Sequence, residues 1–188
     1  MSAAQAVEFD VVVVGTGAGG LSTAVAARKM GLSVLLLEKD AVYGGTTARS
    51  GGVLWIPNNP ISIARPEPDS LEAARAYLRH ECGAHYDEAR IEAFLAHGPR
   101  MVDFFMKETD VQLIPLPEYP DYHAESPGGR VAGRSIMAAP LDGRELGKRI
   151  KDRRRAARTH GGPVQRGRRR RQGLAVPPRL ACLQPLSG

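Results

Sequence analysis

The fold of this chain is decided by the stretch FDVVVVGTGAGG, residues Phe9 to Gly20. Its apolar, β-branched run has no polar alternation, which is typical of a strand buried on both faces of a parallel sheet. An alanine-rich helix is predicted from about Gly19 to Met30, with Gly31 as its stop. A second apolar run, Ser33 to Leu37, follows. Strand, glycine-rich turn, helix and strand within about 30 residues predict a βαβ unit of an α/β, Rossmann-like fold.

The glycine-rich turn has the spacing G-x-G-x-x-G, at Gly15, Gly17 and Gly20. The first glycine permits the tight turn, the second lets the backbone approach a pyrophosphate, and the third lets helix and strand pack closely. The predicted helix begins at about Gly19, and its N-terminus carries a partial positive charge that favours phosphate.

A carboxylate ends the second strand at Glu38, 18 residues after Gly20. At this position it can accept hydrogen bonds from both ribose hydroxyls and would repel a 2′-phosphate. The unit therefore predicts a site for a non-phosphorylated adenine dinucleotide, and the motif does not separate NAD from FAD. The alternative is a doubly wound domain that binds no nucleotide and has glycines in its turn.

The segment after this unit resembles a known family. EKD at residues 38–40 and YGGTTARSGGVLWIP at residues 43–57 are similar to the FAD-dependent oxidoreductases that include fumarate reductase flavoproteins and 3-ketosteroid dehydrogenases. SGG at 50–52 followed by WIP at 55–57 resembles the ketosteroid branch. The resemblance implies FAD as the cofactor, and the lack of histidine from Glu38 to Pro57 implies that it is noncovalent. The alternative is an ordinary glycine-rich surface loop.

The resemblance also implies which residues hold FAD. Thr46 and Thr47 match the positions that hold the pyrophosphate, and residues 50–52 approach the flavin. Consecutive glycine and threonine residues offer N–H and O–H donors to phosphate at low steric cost. The expected cofactor-binding residues are Gly15, Gly17, Ala18, Gly19, Gly20, Glu38, Lys39, Gly45, Thr46, Thr47, Ser50, Gly51 and Gly52.

A second resemblance lies at YPDYH, residues 119–123, with Gly133-Arg134-Ser135 downstream. Ketosteroid 1-dehydrogenases have a similar segment, which implies that Tyr119 lines the steroid pocket and that Tyr122 assists a catalytic tyrosine base. Such enzymes remove a proton alpha to the C3 ketone and pass a hydride from C1 to flavin N5. A tyrosine pKa of about 10 must be lowered for the base, so a neighbouring hydroxyl that stabilises the phenolate is useful. The alternative for Tyr122 is a surface or pocket-wall tyrosine.

Three helices are predicted between these two segments. Asp69, with Glu72 three residues later, has the pattern of a capping box that opens a helix. A second helical pattern starts near Asp87, and Gly98 and Pro99 interrupt it, so that Pro99 is expected to begin a third helix.

No metal site and no disulfide framework are predicted. His80, Cys82 and His85 are scattered around a helix and its end rather than gathered on one face. The two cysteines, Cys82 and Cys182, lie far apart without a CxxC motif. No apolar run is long enough to span a membrane, and the N-terminus has no secretory signal, so a cytoplasmic setting is expected.

The charge of the chain divides at residue 150. The whole sequence has a net charge of +6, but residues 1–150 hold 15 basic and 19 acidic side chains, a net −4. Residues 151–188 hold 11 basic side chains and one acidic side chain, a net +10. The body therefore indicates no nucleic-acid partner, and the tail, which has no aromatic residue for base stacking, is expected to be disordered.

The expected ranges are an N-terminal part of an FAD-binding domain at 1–65, a helical segment with the start of an α+β capping domain at 66–150, and the basic tail at 151–188. The resemblance covers about residues 8–150, and family members continue well beyond this length. We therefore expect an incomplete chain whose tail records a frameshift or truncation, and no steroid turnover by this polypeptide. The alternative is a real basic tail that binds nucleic acid or acidic lipid.

Three functions remain open from the sequence. The first is a ketosteroid dehydrogenase whose small-molecule substrate is a 3-ketosteroid. The second is a fumarate-reductase-like flavoprotein that reduces activated alkenes, and the third is a non-catalytic remnant. WIP at 55–57 and the 119–123 segment favour the first over the second.

Overall fold

The structure is a computed structural model that describes residues 7–62 and 68–152. The prediction of a disordered tail therefore falls, beyond Asp152, outside the described residues. The chain divides into two compact units, which are described separately below. The first unit comprises Met1–Gly51 and Asp142–Gly188, and the second comprises Gly52–Leu141. The domain ranges expected from the sequence stay predictions.

The first unit contains the βαβ element. Strand β1, Val11–Val14, and strand β2, Val34–Leu37, pair in parallel, with Val11 opposite Val34. Helix α1, Ala18–Lys29, connects them, and Gly31 follows it with a φ of +86°, a left-handed conformation that favours glycine. A small core fills the space between helix and sheet, and it consists of Val13, Ala24, Ala27, Val34 and Leu36. The predicted strand–turn–helix–strand order is therefore confirmed.

One face of this two-stranded sheet is open within the described residues. The side chains of Val12 and Val14 are 55% and 81% exposed, whereas Val13 between them is buried. The expectation that β1 is buried on both faces is therefore wrong for the described part of the chain. The reason is that α1 covers one face, and the described residues place no second layer on the other.

The first unit also receives the end of the described chain. Residues Gly143–Asp152 form 3₁₀ turns that are broken at Gly147. The backbone N–H of Tyr43 donates to the carbonyl of Asp152 at 2.8 Å. This bond joins the loop after β2 to the residues that follow Leu141.

The second unit is an antiparallel sheet with two helices. Strands β3, Val53–Trp55, β4, Leu113–Pro115, and β5, Ser135–Ala138, are arranged with β5 in the centre. Helices α2, Leu71–Cys82, and α3, Glu88–Glu108, precede β4 in the chain. The core contains Ile56, Val102, Leu113 and Ile136. No helix in the described ranges is long and apolar enough to cross a membrane.

Helix α3 runs through Pro99 without a break, so the predicted division into two helices is wrong. Leu95, Gly98 and Val102 form one buried stripe that continues across the proline. Gly98 lies against Ile56, because a Cβ at Gly98 would lie 3.2 Å from the Ile56 Cγ2 atom. Tertiary packing of this stripe therefore offsets the local cost of the proline.

The N-cap of α2 is Ser70 rather than Asp69. The Ser70 hydroxyl accepts a hydrogen bond from the backbone N–H of Ala73 at 3.0 Å. Asp69 is turned away to bind Arg134, with two bonds of 2.8 Å from the guanidinium. Asp69 and Ser70 are both residue types that cap helices well. Because Asp69 bonds to Arg134, Ser70 is the residue that caps α2.

Candidate functional site

The glycine-rich turn lies between β1 and α1, at the carboxyl end of the sheet. Gly15 has a φ of +97°, which L side chains rarely adopt. A Cβ at Gly20 would overlap the carbonyl oxygen of Gly15, so only glycine lets α1 pack this closely against the turn. A Cβ at Gly19 would meet no atom within 4 Å. Gly15 and Gly20 therefore shape the turn, whereas Gly19 only borders it.

The N-terminus of α1 presents backbone donors next to this turn. Helix α1 has no acidic residue in its first turn, and Gly17 caps it without a side-chain bond. Within the described chain, no group accepts from the N–H groups of Gly19 and Gly20. Unsatisfied N–H groups at a helix N-terminus suit a phosphate. The arrangement therefore fits the pyrophosphate of a dinucleotide.

Glu38 lies at the end of β2 and is bonded to the turn. The backbone N–H of Thr16 donates to Glu38 Oε2 at 2.9 Å, and the Thr16 hydroxyl donates to the same oxygen. The Asp40 N–H donates to Oε1 at 3.0 Å. The hydroxyl of Thr16, followed by the amide of Asp40, lowers the pKa of Glu38 below its usual range. An ionised carboxylate at this place is a suitable acceptor for ribose hydroxyls.

Thr16 is a residue of this site that the sequence reasoning missed. Its side chain is buried, and its hydroxyl also accepts a bond from the Gly44 N–H at 2.9 Å. Thr16 therefore connects the turn, the end of β2 and the following loop. The sequence feature that could have identified Thr16 is a short polar side chain between the first two glycines of the motif.

The loop after β2 lies against the same turn. The Thr47 hydroxyl accepts a hydrogen bond from the Ala18 N–H at 3.1 Å. A Cβ at Gly45, whose φ is +54°, would lie 3.1 Å from the Gly17 Cα atom. Gly45 and Thr47 are therefore brought to the glycine-rich turn, as a shared cofactor site requires.

The remaining predicted cofactor residues are less closely joined to this turn. Lys39, Thr46 and Gly51 are exposed, and the exposed Ser50 donates from its hydroxyl to the Thr47 carbonyl at 2.8 Å. Gly52 belongs to the second unit. Their roles in FAD binding stay predictions, as do those of the glycines, Glu38 and Thr47.

Replacing Thr47 by alanine tests the cap that this loop supplies to α1. The change removes the acceptor of the Ala18 N–H, so we expect a loss of about 1 kcal/mol in the free energy of unfolding of the FAD-free chain. Urea unfolding followed by circular dichroism measures it. The matched control is Thr46→Ala, because Thr46 makes no side-chain cap, and it should leave stability unchanged. Equal losses in both variants would contradict the capping role.

The second unit contains a buried ion cluster, which we define as Arg134, Asp69 and Asp121. Arg134 is 1% exposed, and its guanidinium donates twice to Asp69 and once to Asp121, each at 2.8 Å. Burial opposes ionisation of Asp69, but the hydrogen bonds and charge of Arg134 prevail and lower its pKa. The guanidinium also lies over the rings of Trp55 and Tyr77, at 5.4 and 5.7 Å from their centroids.

The predicted substrate residues flank one member of this cluster. Tyr119 is 43% exposed and Tyr122 is 91% exposed, whereas Asp121 is 5% exposed. Both tyrosines therefore lie on the surface of the second unit, and their roles at a substrate stay predictions. Asp121 and Arg134 stand in the two sequence segments quoted for the resemblance, but no local pattern showed that they are paired.

His123 attaches the same segment to α2. Its Nδ1 lies 2.6 Å from Glu81 Oε2, and its backbone N–H donates to the Tyr77 hydroxyl at 3.4 Å. The hydrogen bond and charge of Glu81 raise the pKa of His123. His80, Cys82 and His85 form no metal-binding group, nor do any other described residues.

A βαβ unit with unbonded amides at the N-terminus of its helix and a carboxylate at the end of its second strand is typical of a dinucleotide-binding protein. The sequence model of the FAD binding domain matches residues 10–175, and the chain belongs to this family. The predicted family, the cofactor FAD and the α/β flavoprotein fold are thereby confirmed. The match continues past residue 150, where the resemblance was expected to end. Noncovalent attachment of FAD stays a prediction.

Curated relatives and a solved structure show which flavin-dependent enzymes the chain is similar to. It is 49% identical to 3-oxosteroid 1-dehydrogenase of Mycobacterium tuberculosis over 140 residues, 74% of this chain and 25% of the relative. It is 38% identical to 4-oxocyclohex-2-ene-1-carboxylate 5-dehydrogenase of Sinomonas cyclohexanicum over 143 residues, 76% of this chain and 24% of the relative. The chain thus spans about a quarter of the length of these dehydrogenases.

The solved structure is 3-ketosteroid Δ1-dehydrogenase from Sterolibacterium denitrificans in complex with 1,4-androstadiene-3,17-dione. It is similar with a TM-score of 0.74 and 38% identity, over 79% of this chain and 26% of that chain. The predicted likeness to flavin-dependent ketosteroid dehydrogenases is thereby confirmed.

Proposed function

We propose that this chain provides the FAD-binding part of a dehydrogenase that acts on 3-ketosteroids. The observation that carries the proposal is the 49% identity to a 3-oxosteroid 1-dehydrogenase over 140 residues. The surface tyrosines of the 119–123 segment support it, because both are exposed where a substrate can reach them. In the proposed reaction, bound FAD supplies the acceptor for the hydride that leaves C1 while a proton leaves C2 and the C1=C2 bond forms.

The residues of this chain contribute binding and orientation to that reaction. The N–H groups of Gly19 and Gly20 would hold the pyrophosphate, and Glu38 would hold the ribose. Thr16 holds the Glu38 carboxylate against the turn, and its hydroxyl lowers the pKa of that carboxylate. Tyr122 would assist the base by offering a hydroxyl to its phenolate, and Tyr119 would contact the steroid.

A second candidate substrate class is a small cyclic ketone that carries a carboxylate. The 38% identity to a 4-oxocyclohex-2-ene-1-carboxylate 5-dehydrogenase supports it. Both classes share a ring ketone with hydrogens alpha to the carbonyl, and they differ in size and charge.

Ligand binding by the FAD-loaded chain tests the proposal. Purified chain is first examined for a visible flavin spectrum, which should be present because the family binds FAD. It is then titrated by calorimetry with 1,4-androstadiene-3,17-dione and, separately, with 4-oxocyclohexanecarboxylate. Saturable binding of the steroid alone supports the first substrate class, and binding of the carboxylate alone supports the second. Binding of neither contradicts the proposed function.

We also propose the cytoplasmic setting expected from the sequence, with no nucleic-acid partner. The net charge of −4 on residues 1–150 supports the second point, since nucleic-acid binding requires basic surface.

A further inference from the structure

We propose that Asp121 is a positioning residue, which holds the 119–123 segment so that Tyr119 and Tyr122 face a ketosteroid substrate. This inference rests on the proposed function, which supplies the substrate. It assigns a task to the buried ion cluster, whose side chains are each no more than 3% exposed.

The alternation of exposure along the segment is the first argument. Asp121 is 5% exposed, its neighbour Tyr122 is 91% exposed, and Tyr119 is 43% exposed. A carboxylate with this degree of burial needs partners, because burying an unpaired charge is costly. Its attachment to the interior directs the neighbouring tyrosine outwards.

The bonds of Asp121 are the second argument. Oδ1 accepts from the Trp55 indole N–H at 2.6 Å, and Oδ2 accepts from Arg134 Nη1 at 2.8 Å. Oδ2 also accepts from the Arg130 backbone N–H at 3.0 Å, while the Asp121 N–H donates to the Arg130 carbonyl at 2.8 Å. One side chain thus anchors the segment to β3 and to Arg134, and it closes a loop between residues 121 and 130.

The closed loop is docked on α2 by its other members. A Cβ at Gly128 would overlap the Ala73 carbonyl oxygen, so the loop backbone lies directly on the helix. The His123 N–H donates to the Tyr77 hydroxyl at 3.4 Å. These contacts limit how far the loop can move, and the bonds of Asp121 fix where it begins.

Asp69 provides a matched comparison. Asp69 and Asp121 are both nearly buried carboxylates bound to the same guanidinium. Only Asp121 belongs to the segment that contains the tyrosines. Asparagine at either position removes one negative charge and turns an amide donor towards groups that already donate. If the cluster only stabilises the fold, Asp69→Asn and Asp121→Asn should weaken steroid binding to a similar degree. If Asp121 positions the tyrosines, Asp121→Asn should weaken steroid binding more than Asp69→Asn does.

The experiment compares these two variants in the FAD-loaded chain. For Asp121→Asn we expect the dissociation constant of 1,4-androstadiene-3,17-dione to rise about tenfold or more, since misplacing groups that contact a ligand is costly. For Asp69→Asn we expect a change within about threefold, because the tyrosine-bearing segment keeps its anchor. Equal weakening in both variants, or unchanged binding in Asp121→Asn, overturns the proposal.

Hydrogen exchange in the steroid-free protein separates this inference from the proposed function. Backbone amides of residues 121–124 should exchange about tenfold faster in Asp121→Asn than in Asp69→Asn. If the wild-type chain binds no steroid, the proposed function fails. The positioning role is tested separately, and equal exchange rates in the two variants overturn it. Should Asp121→Asn not fold, Trp55→Phe removes only one bond to Asp121 and should raise the exchange rates of the same amides. Unchanged rates in that variant overturn the proposal.

Discussion

Replacing Gly20 by alanine is expected to cost about 3 kcal/mol or more of the free energy of unfolding and to release FAD from the chain. The added methyl group would overlap the Gly15 carbonyl oxygen, which is backbone and cannot rotate aside. Helix α1 must then move away from β1, and its N-terminal amides leave the proposed phosphate position with it. Urea unfolding and the flavin absorption of the purified protein measure the two effects.

The matched control is Gly19→Ala, in the same turn of the same helix. A Cβ there meets no atom within 4 Å, and alanine is a better helix former than glycine by about 1 kcal/mol. The FAD-free variant should therefore be as stable as the wild type or more so. If both variants lost stability equally, the close approach of α1 to the turn would not be the cause.

Replacing Arg134 by methionine is expected to destabilise the chain by about 3–5 kcal/mol at neutral pH. Methionine fills a similar volume, but it leaves Asp69 and Asp121 as buried carboxylates without their cation. The control is Arg90→Met, since Arg90 pairs with Asp87 on the surface, at 88% and 51% side-chain exposure. Exposed ion pairs contribute little, so the control should unfold like the wild type.

The pH dependence of this loss provides a second check. The lowered pKa of Asp69 means that its stabilising charge is present above the usual value of 3.8 and is lost as the pH falls through the lowered value. Without Arg134, burial favours the protonated carboxyl of Asp69, so acid relieves the variant at pH values where the wild type still keeps this charge. The difference in unfolding free energy should therefore shrink from pH 7 to about pH 4. A difference that stays constant across this range would show that the lost packing of Arg134, rather than its charge, is responsible.

The βαβ unit could be predicted because local signals agree with the tertiary structure there. The apolar run of Val11–Val14, the glycine spacing and Gly31 each indicate the same order of elements. The exposure of Val12 and Val14 could not be predicted from the strand's own sequence. Burial of the second face of a strand depends on whether another element packs against it, and the local pattern does not show this.

The second unit depends on pairs that are distant in sequence. Arg134 bonds to Asp69 across 65 positions, and Trp55 bonds to Asp121 across 66. Periodicity and capping signals act over a few residues, so no such signal links these side chains. The same long-range bond to Arg134 turns Asp69 away from the helix N-terminus and leaves the capping role to Ser70.

Trp55 is the only tryptophan of the sequence, and its indole N–H donates to Asp121 of the ion cluster. Its ring is parallel to that of Phe94, with centroids 6.2 Å apart, and the Arg134 guanidinium lies over its face. Tryptophan fluorescence of this protein therefore originates from the second unit alone. A change in emission during denaturation therefore reports the opening of that unit, in a signal to which the first unit contributes no tryptophan.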